Sequence, residues 1–135
     1  MGSGCLARRV DGILFILFCV RFMVQYMGSG LQPADVIIRS LHVLYCMERV
    51  MKSEGEDNWI NGVRVLIAEL ECAGSDAATQ YDALKNASST YRTMMAAKDG
   101  IGAYVIWRDD LESRCKLNAD FDALRSELWN LLVNE

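Results

Sequence analysis

Residues 33–70 read PADVIIRSLHVLYCMERVMKSEGEDNWINGVRVLIAEL, and this stretch decides the fold. Apolar residues recur every three or four positions on both sides of Gly55, which is the spacing of amphipathic helices. Pro33 suits the first turn of a helix, and Gly55 suits a position just beyond the end of one. The pattern predicts a helix over about 33–53 and a second that is capped by Asp57 or Asn58 and ends at 73–74. Because the turn between them is short, these helices should pack antiparallel.

The remainder of the chain extends the same pattern. Ser75 is a candidate N-cap for a third helical region over about 76–97, in which the polar stretch 86–90 predicts a kink or a break. Residues 103–107 are β-branched and aromatic, which favours a short strand or an extended segment. A last helix is predicted to begin at Asn118 or Asp120, because its apolar stripe begins at Phe121. The predicted core includes Trp59, Leu66, Leu70, Leu124 and Leu128.

These patterns predict a mainly α fold. It is an antiparallel bundle of about four helices with a possible short β element near 103–107, preceded by an apolar N-terminal helix. The chain has 135 residues, of which 52% are apolar, and it contains one proline. That length suits one compact domain, which we assign to residues 28–135.

Residues 1–27 form a separate apolar segment. Arg8 and Arg9 precede an eight-residue apolar run over 13–20, which Arg21 interrupts. The run is shorter than the roughly 20 residues that a spanning helix needs. Three interpretations stay open. Translation begins at Met27 or the segment is dispensable for the fold; residues 10–26 form a signal anchor or a peripheral membrane helix; or the segment is a cleaved signal peptide.

The cysteines and the one histidine give no recognisable catalytic or metal site. None of the five cysteines forms a CxxC pair. Cys46 and Cys72 lie on apolar helix stretches, which predicts reduced core thiols and hence a cytoplasmic protein. His42 and Cys46 lie four positions apart, but a mid-helix thiol among apolar neighbours is a poor nucleophile. We therefore predict no enzyme activity, no cofactor and no metal.

The charge is divided unevenly along the chain. The formal net charge is −4; residues 1–27 carry three arginines against one aspartate, so residues 28–135 carry −6. Nucleic-acid affinity depends mostly on Lys and Arg, so an acidic body argues against nucleic acid as a partner. The same charge suits a basic protein partner.

Two acidic clusters are candidate contact sites. One lies at the turn that follows the first helix, and the other follows the segment carrying Trp107. Neither has the ligand spacing of a calcium loop. Solvated turns are the plainest interpretation, but an aromatic residue beside carboxylates is common at protein interfaces. The predicted partner-binding residues are Trp107, Asp109, Asp110, Glu112, Glu54, Glu56 and Asp57.

Three motifs carry a resemblance to a known family. They are the GEDNW sequence at 55–59, the GIGAY sequence at 100–104, and Asn118 followed by a final helix that ends in LWNLL. Over about residues 41–133 the chain resembles a group of small bacterial helical domains of unknown function that are often encoded near polymorphic toxins. The resemblance implies an immunity-like role. The polar residues that usually follow the glycine turn in this group are replaced here by Ala103, Val105 and Ile106.

Two functions follow as predictions. The first is a cytoplasmic, non-enzymatic immunity protein that occludes a cognate toxin, which is expected to be a basic domain. The second is a helical accessory protein that residues 10–26 attach to the inner membrane. These two hypotheses differ in the role of the N-terminal segment, because only the second requires residues 10–26 to contact a membrane.

Overall fold

Each helix of the body begins in one of two ways. A carboxylate accepts hydrogen bonds from the free backbone N–H groups of the first turn, or a proline, which has no N–H, occupies that turn. In the computed structural model, the described residues, 30–134, hold four α-helices and one 3₁₀ turn. These are α1, Pro33–Ser53; α2, Trp59–Glu71; α3, Ala77–Ala96; the 3₁₀ turn, Ile101–Ala103; and α4, Leu111–Leu132. The predicted helical bundle is thus confirmed. The predictions for residues 1–27 and 10–26 concern residues outside the described range.

The helices alternate in direction. Arg64 pairs with Glu48 across α1 and α2, and Arg39 pairs with Glu127 across α1 and α4, each at 2.8 Å. Helix α1 contacts all three other helices, so it forms the centre of the packing. Residues Leu31–Glu135 make one compact unit.

The core is built from the apolar faces that the spacing predicts. Leu66, Leu70, Leu124 and Leu128 are all buried, whereas Trp59 is only half-buried. The two aromatic rings that fill the core are Tyr91 and Phe121. Four of the five predicted core residues are therefore confirmed, and the prediction for Trp59 is wrong because this ring lies at the first turn of α2.

Three local predictions need correction. Helix α3 runs unbroken through 86–90, because its small residue Ala87 is fully buried against the core. Among the described residues there is no strand; residues 104–108 are extended, but they pair with no other strand. Helix α4 begins at Leu111, well before Asn118, because Asp110 caps it.

Two glycines shape the connections between helices, one through its backbone conformation and one through a close approach. Gly55 has φ of +69°, so it supplies the left-handed residue that ends α1 and begins the turn to α2. A Cβ added to Gly100 would lie 2.2 Å from the backbone oxygen of Met94, so no larger residue fits there without movement of the backbone. The chain can thus turn sharply after α3 and lead into the 3₁₀ turn.

Candidate functional site

The Asn118 side chain pins the middle of the extended segment 104–108 against α4. Asn118 accepts a hydrogen bond from the Ile106 backbone N–H and donates one to the Ile106 carbonyl oxygen, both at 2.8 Å. This amide acts as a neighbouring strand would, satisfying both backbone groups of one residue. Ile106 is buried, so the residues on either side of it are turned outward. Asn118 therefore has a structural role inside α4 rather than the predicted role of starting it.

Three large apolar side chains project into solvent around this segment. We call them the apolar row: Val105, Trp107 and Leu111, which are 61%, 67% and 60% exposed. Trp107 is the most exposed of the large hydrophobic side chains in the described part of the chain. The guanidinium of Arg114 lies 4.4 Å from the centroid of its ring, in the range of a cation–π contact. This contact restrains the exposed ring.

The three carboxylates beside the apolar row, those of Asp109, Asp110 and Glu112, have different structural roles. Asp109 and Glu112 are exposed and form no ion pair within residues 30–134. Asp110 is the N-cap of α4 and accepts a hydrogen bond from the Ser113 backbone N–H at 2.8 Å. Hydrogen bonds from Ser113 lower the pKa of Asp110. Asp110 thus organises the start of the helix, and its two acidic neighbours are available for contact.

The second acidic cluster lies next to the first. The two terminal guanidinium nitrogens of Arg108, Nη1 and Nη2, donate to the carboxylate of Glu54, at 2.6 and 2.5 Å. The hydrogen bonds to Glu54 raise the pKa of Arg108. Since Arg108 follows Trp107 directly, this bidentate pair ties the extended segment to the end of α1. The structure thus brings together two clusters that the sequence could not place on one face.

Within this second cluster, Glu56 acts mainly as a helix cap. Its carboxylate accepts hydrogen bonds from the backbone N–H groups of Asn58, Trp59 and Ile60, at 2.8 to 2.9 Å. These are the orphan donors at the start of α2. The predicted capping role of Asp57 or Asn58 is therefore wrong, since neither makes a side-chain cap at this helix start. Asp57 is exposed.

The seven predicted partner-binding residues consequently divide into two groups. Trp107, Asp109, Glu112 and Asp57 are exposed, and the three carboxylates among them form no ion pair in the described structure. Glu54, Glu56 and Asp110 are used to join and cap helices. Sequence reasoning missed Val105, Leu111, Arg108 and Arg114. The β-branched and aromatic composition of residues 103–107 indicates an extended segment, but only the Asn118 contact shows which of its faces is outward.

A buried arginine supports the glycine turn behind the extended segment. Nη1 of Arg125 donates to the carbonyl oxygens of Ile101, Gly102 and Tyr104, at 2.6, 3.1 and 3.2 Å, and Nη2 pairs with Asp122. Burial lowers the pKa of Arg125. The Tyr91 hydroxyl donates to the Arg125 backbone oxygen at 2.9 Å, and burial raises the Tyr91 pKa. This network fixes the turn from beneath, and no pattern in the sequence indicates it.

The residues considered for catalysis are placed unfavourably for it. His42 is half-buried, and burial lowers its pKa. Cys46 is fully buried and disulfide-bonded, so the prediction of a reduced thiol is wrong there. Cys72 is a free thiol, but it is exposed rather than in the core. Within residues 30–134 no group of three or more His, Cys, Asp or Glu side chains is arranged to hold a metal ion.

None of the described helices has the length and apolar character needed to cross a membrane. Comparison of the chain with protein-family models, with curated proteins and with solved structures finds no match. A functional assignment therefore depends on the surfaces and contacts of this molecule itself.

Proposed function

We propose that this chain is a non-enzymatic binding module that docks a basic protein partner on the surface formed by the apolar row and its acidic neighbours. The observation that carries the proposal is the exposure of Trp107 at the centre of a row that also presents Val105 and Leu111. Tryptophan is enriched among the residues that dominate binding energy at interfaces. A large indole held in water costs free energy that a docked partner would recover.

The charges around the row favour a basic partner. Asp57, Asp109 and Glu112 are exposed carboxylates without an ion pair in the described structure, and the body carries a net charge of −6. Carboxylates at the rim of an interface speed the association of a positively charged partner. The bidentate Arg108–Glu54 pair holds the surface in place without adding net charge to it. A preorganised surface loses less conformational entropy on binding.

We propose further that the partner is a toxin and that the chain is its immunity protein. This finer assignment rests on the resemblance of residues 41–133 to small helical domains encoded near polymorphic toxins. It agrees with an acidic surface suited to occluding a basic toxin domain. In this mechanism the bound module covers the toxin's site, and no chemical step takes place on the module.

The test is direct binding to the toxin encoded beside this gene, with protection of cells from that toxin as a second readout. Trp107→Ala should raise the dissociation rate, because the ring anchors the complex. We expect the Kd to rise at least about 30-fold, the change of roughly 2 kcal/mol that defines a hot spot. Tyr81→Ala is the matched control, since Tyr81 is an equally exposed aromatic residue on α3.

A charge reversal tests the electrostatic part of the proposal separately. Asp109→Lys with Glu112→Lys should slow association and reduce its dependence on salt, while leaving the Asp110 cap intact. Asp35→Lys with Asp82→Lys changes the net charge equally at exposed positions near the starts of α1 and α3, at the opposite end of the bundle from the row. If both double variants slow association to the same extent, the surface is wrongly placed. If Trp107→Ala also binds normally, the proposal fails.

A further inference from the structure

An open groove lies at the other end of the bundle, between the start of α1, the middle of α3 and the end of α4. Its volume is about 640 Å³, within the range of about 300–1,000 Å³ typical of small-molecule sites. The floor is apolar: Val36, Leu131 and Leu132 are buried, and Leu84 is half-buried. The groove could therefore cover a hydrocarbon chain that would otherwise contact water.

The rim of this groove is cationic. Lys85 and Arg92 lie two turns apart on α3, with Ser88 and Ser89 between them, and all four line the groove. Lys85 and Arg92 are exposed, and neither forms a hydrogen bond or an ion pair within residues 30–134. No Asp or Glu is among the described residues that line the groove. Two unpaired cations thus stand beside an apolar floor in a body whose net charge is negative.

We infer that this groove binds a long-chain fatty acid. The acyl chain lies along Val36, Leu84, Leu131 and Leu132, and the carboxylate is held by Lys85 and Arg92. Arg and Lys form charge-assisted hydrogen bonds with carboxylates, and the hydroxyls of Ser88 and Ser89 are further donors at the same rim. The ligand's two parts match the two parts of the groove. A purely apolar ligand would leave the cations unused, and a short anion would leave the floor uncovered.

This site is separate from the proposed partner surface. Helices α1 and α4 run antiparallel, so the end of α1 lies near the start of α4, where the partner surface is. The groove involves the opposite ends of the same two helices. Helix α1 has 21 residues, which spans about 30 Å. Fatty-acid binding can therefore be tested without the toxin, and its failure would leave the proposed function untouched.

The experiment measures binding of the full chain to a fluorescent C18 fatty acid, cis-parinaric acid, below the concentration at which it forms micelles. Saturable binding with one site per chain is expected, with displacement by oleate. Oleyl alcohol has the same chain without the charge, and it should compete at least about tenfold less well, as should butyrate, which lacks the long chain. Equal competition by the alcohol would overturn the inference. So would binding to anionic lipid vesicles without binding to the monomeric acid.

Variants locate the site. Lys85→Gln with Arg92→Gln should weaken binding about tenfold, the loss expected when a carboxylate loses its charged donors. Lys52→Gln with Lys98→Gln removes the same charge from exposed positions outside the groove and should leave the Kd unchanged. Ser89→Glu places a carboxylate between the two cations and should also weaken binding, whereas Ala96→Glu, on the same helix outside the groove, should not. Circular dichroism confirms that each variant is folded. Equal losses in variants and controls would contradict the assignment.

Discussion

At the residue scale, Arg125 holds the glycine turn through three backbone carbonyl oxygens. Buried carbonyl groups need such donors, since an unsatisfied one costs about 1–3 kcal/mol. A long cationic side chain on an otherwise apolar helix face is hard to interpret from sequence alone. Spacing places Arg125 beside the core leucines Leu124 and Leu128, but it does not show which carbonyl oxygens lie within reach.

Replacing this arginine should therefore destabilise the protein. Arg125→Met keeps much of the side-chain volume but removes the donors, and we expect the free energy of unfolding to fall by about 2–4 kcal/mol. Urea denaturation measures the change. Arg64→Met removes an arginine whose side chain is 50% exposed in its ion pair with Glu48, and it should cost less than about 1 kcal/mol. Equal costs for the two variants would show that the buried network does not support the turn.

The two glycines of the same turn should respond differently to substitution. A Cβ at Gly100 would lie 2.2 Å from the Met94 backbone oxygen, whereas one at Gly102 would lie 3.3 Å from the Met95 backbone oxygen. Backbone atoms cannot move aside as a side chain can, so Gly100→Ala should cost about 1–3 kcal/mol. Gly102→Ala should cost less. Thermal denaturation of the two variants compares them, and a larger loss for Gly102→Ala would contradict the geometry.

At the scale of elements, the helix starts depend on carboxylates that the apolar pattern does not identify. Asp76 accepts a hydrogen bond from the Thr79 backbone N–H, and Asp110 does the same with Ser113. The predicted N-cap Ser75 is thus one residue early. The start of α4 was predicted late because its first turns face solvent and carry no apolar stripe, although a capping carboxylate stabilises them.

The Asp110 cap gives a pH-dependent prediction. Its pKa is lowered from 3.8, so the ionised form stabilises the folded state. This stabilisation is present above the unfolded-state pKa and is lost as the pH falls through the lower folded-state pKa. Asp110→Ala should lower the urea midpoint at pH 7, and the difference from the parent chain should shrink in acid.

Asp110→Asn provides the matched control for this cap. Asparagine also caps helices well, so this variant should retain most of the stability at pH 7. Because an amide does not titrate, the cap in this variant should contribute equally at all pH values. If the alanine and asparagine variants were equally unstable at pH 7, hydrogen bonding at the cap would not be the cause.

At the scale of the whole molecule, two leucines of α4 separate stability from binding. Leu124 is fully buried and Leu111 is 60% exposed. Leu124→Ala leaves a cavity in the core and should cost about 2–5 kcal/mol. Leu111→Ala should change stability by less than about 0.5 kcal/mol, yet weaken binding to the partner because it shortens the apolar row. Chemical denaturation and binding to the toxin measure the two effects; a loss below about 1 kcal/mol for Leu124→Ala would place α4 outside the core.

The antiparallel arrangement also puts two different surfaces at opposite ends of the α1–α4 pair. The Arg108–Glu54 pair joins the acidic clusters at one end, and the cationic groove opens at the other. The net charge of −6 over residues 28–135 does not reveal this division, because a net charge does not show where the charged residues lie. Only the packing of α3 beside the start of α1 brings Lys85 and Arg92 to an apolar floor.

The sequence by itself determined the helical bundle, because helix formation follows from local spacing: apolar residues three or four apart must share a face and bury it. The bounds of α1 and the burial of Leu66 and Leu124 follow from such near-neighbour rules. Tertiary structure decided the rest. The extended segment became an outward row rather than a strand because Asn118 satisfies Ile106, and the two acidic clusters met because Arg108 reaches Glu54 across 54 positions. Contacts over such separations depend on how whole helices pack, which no local pattern encodes.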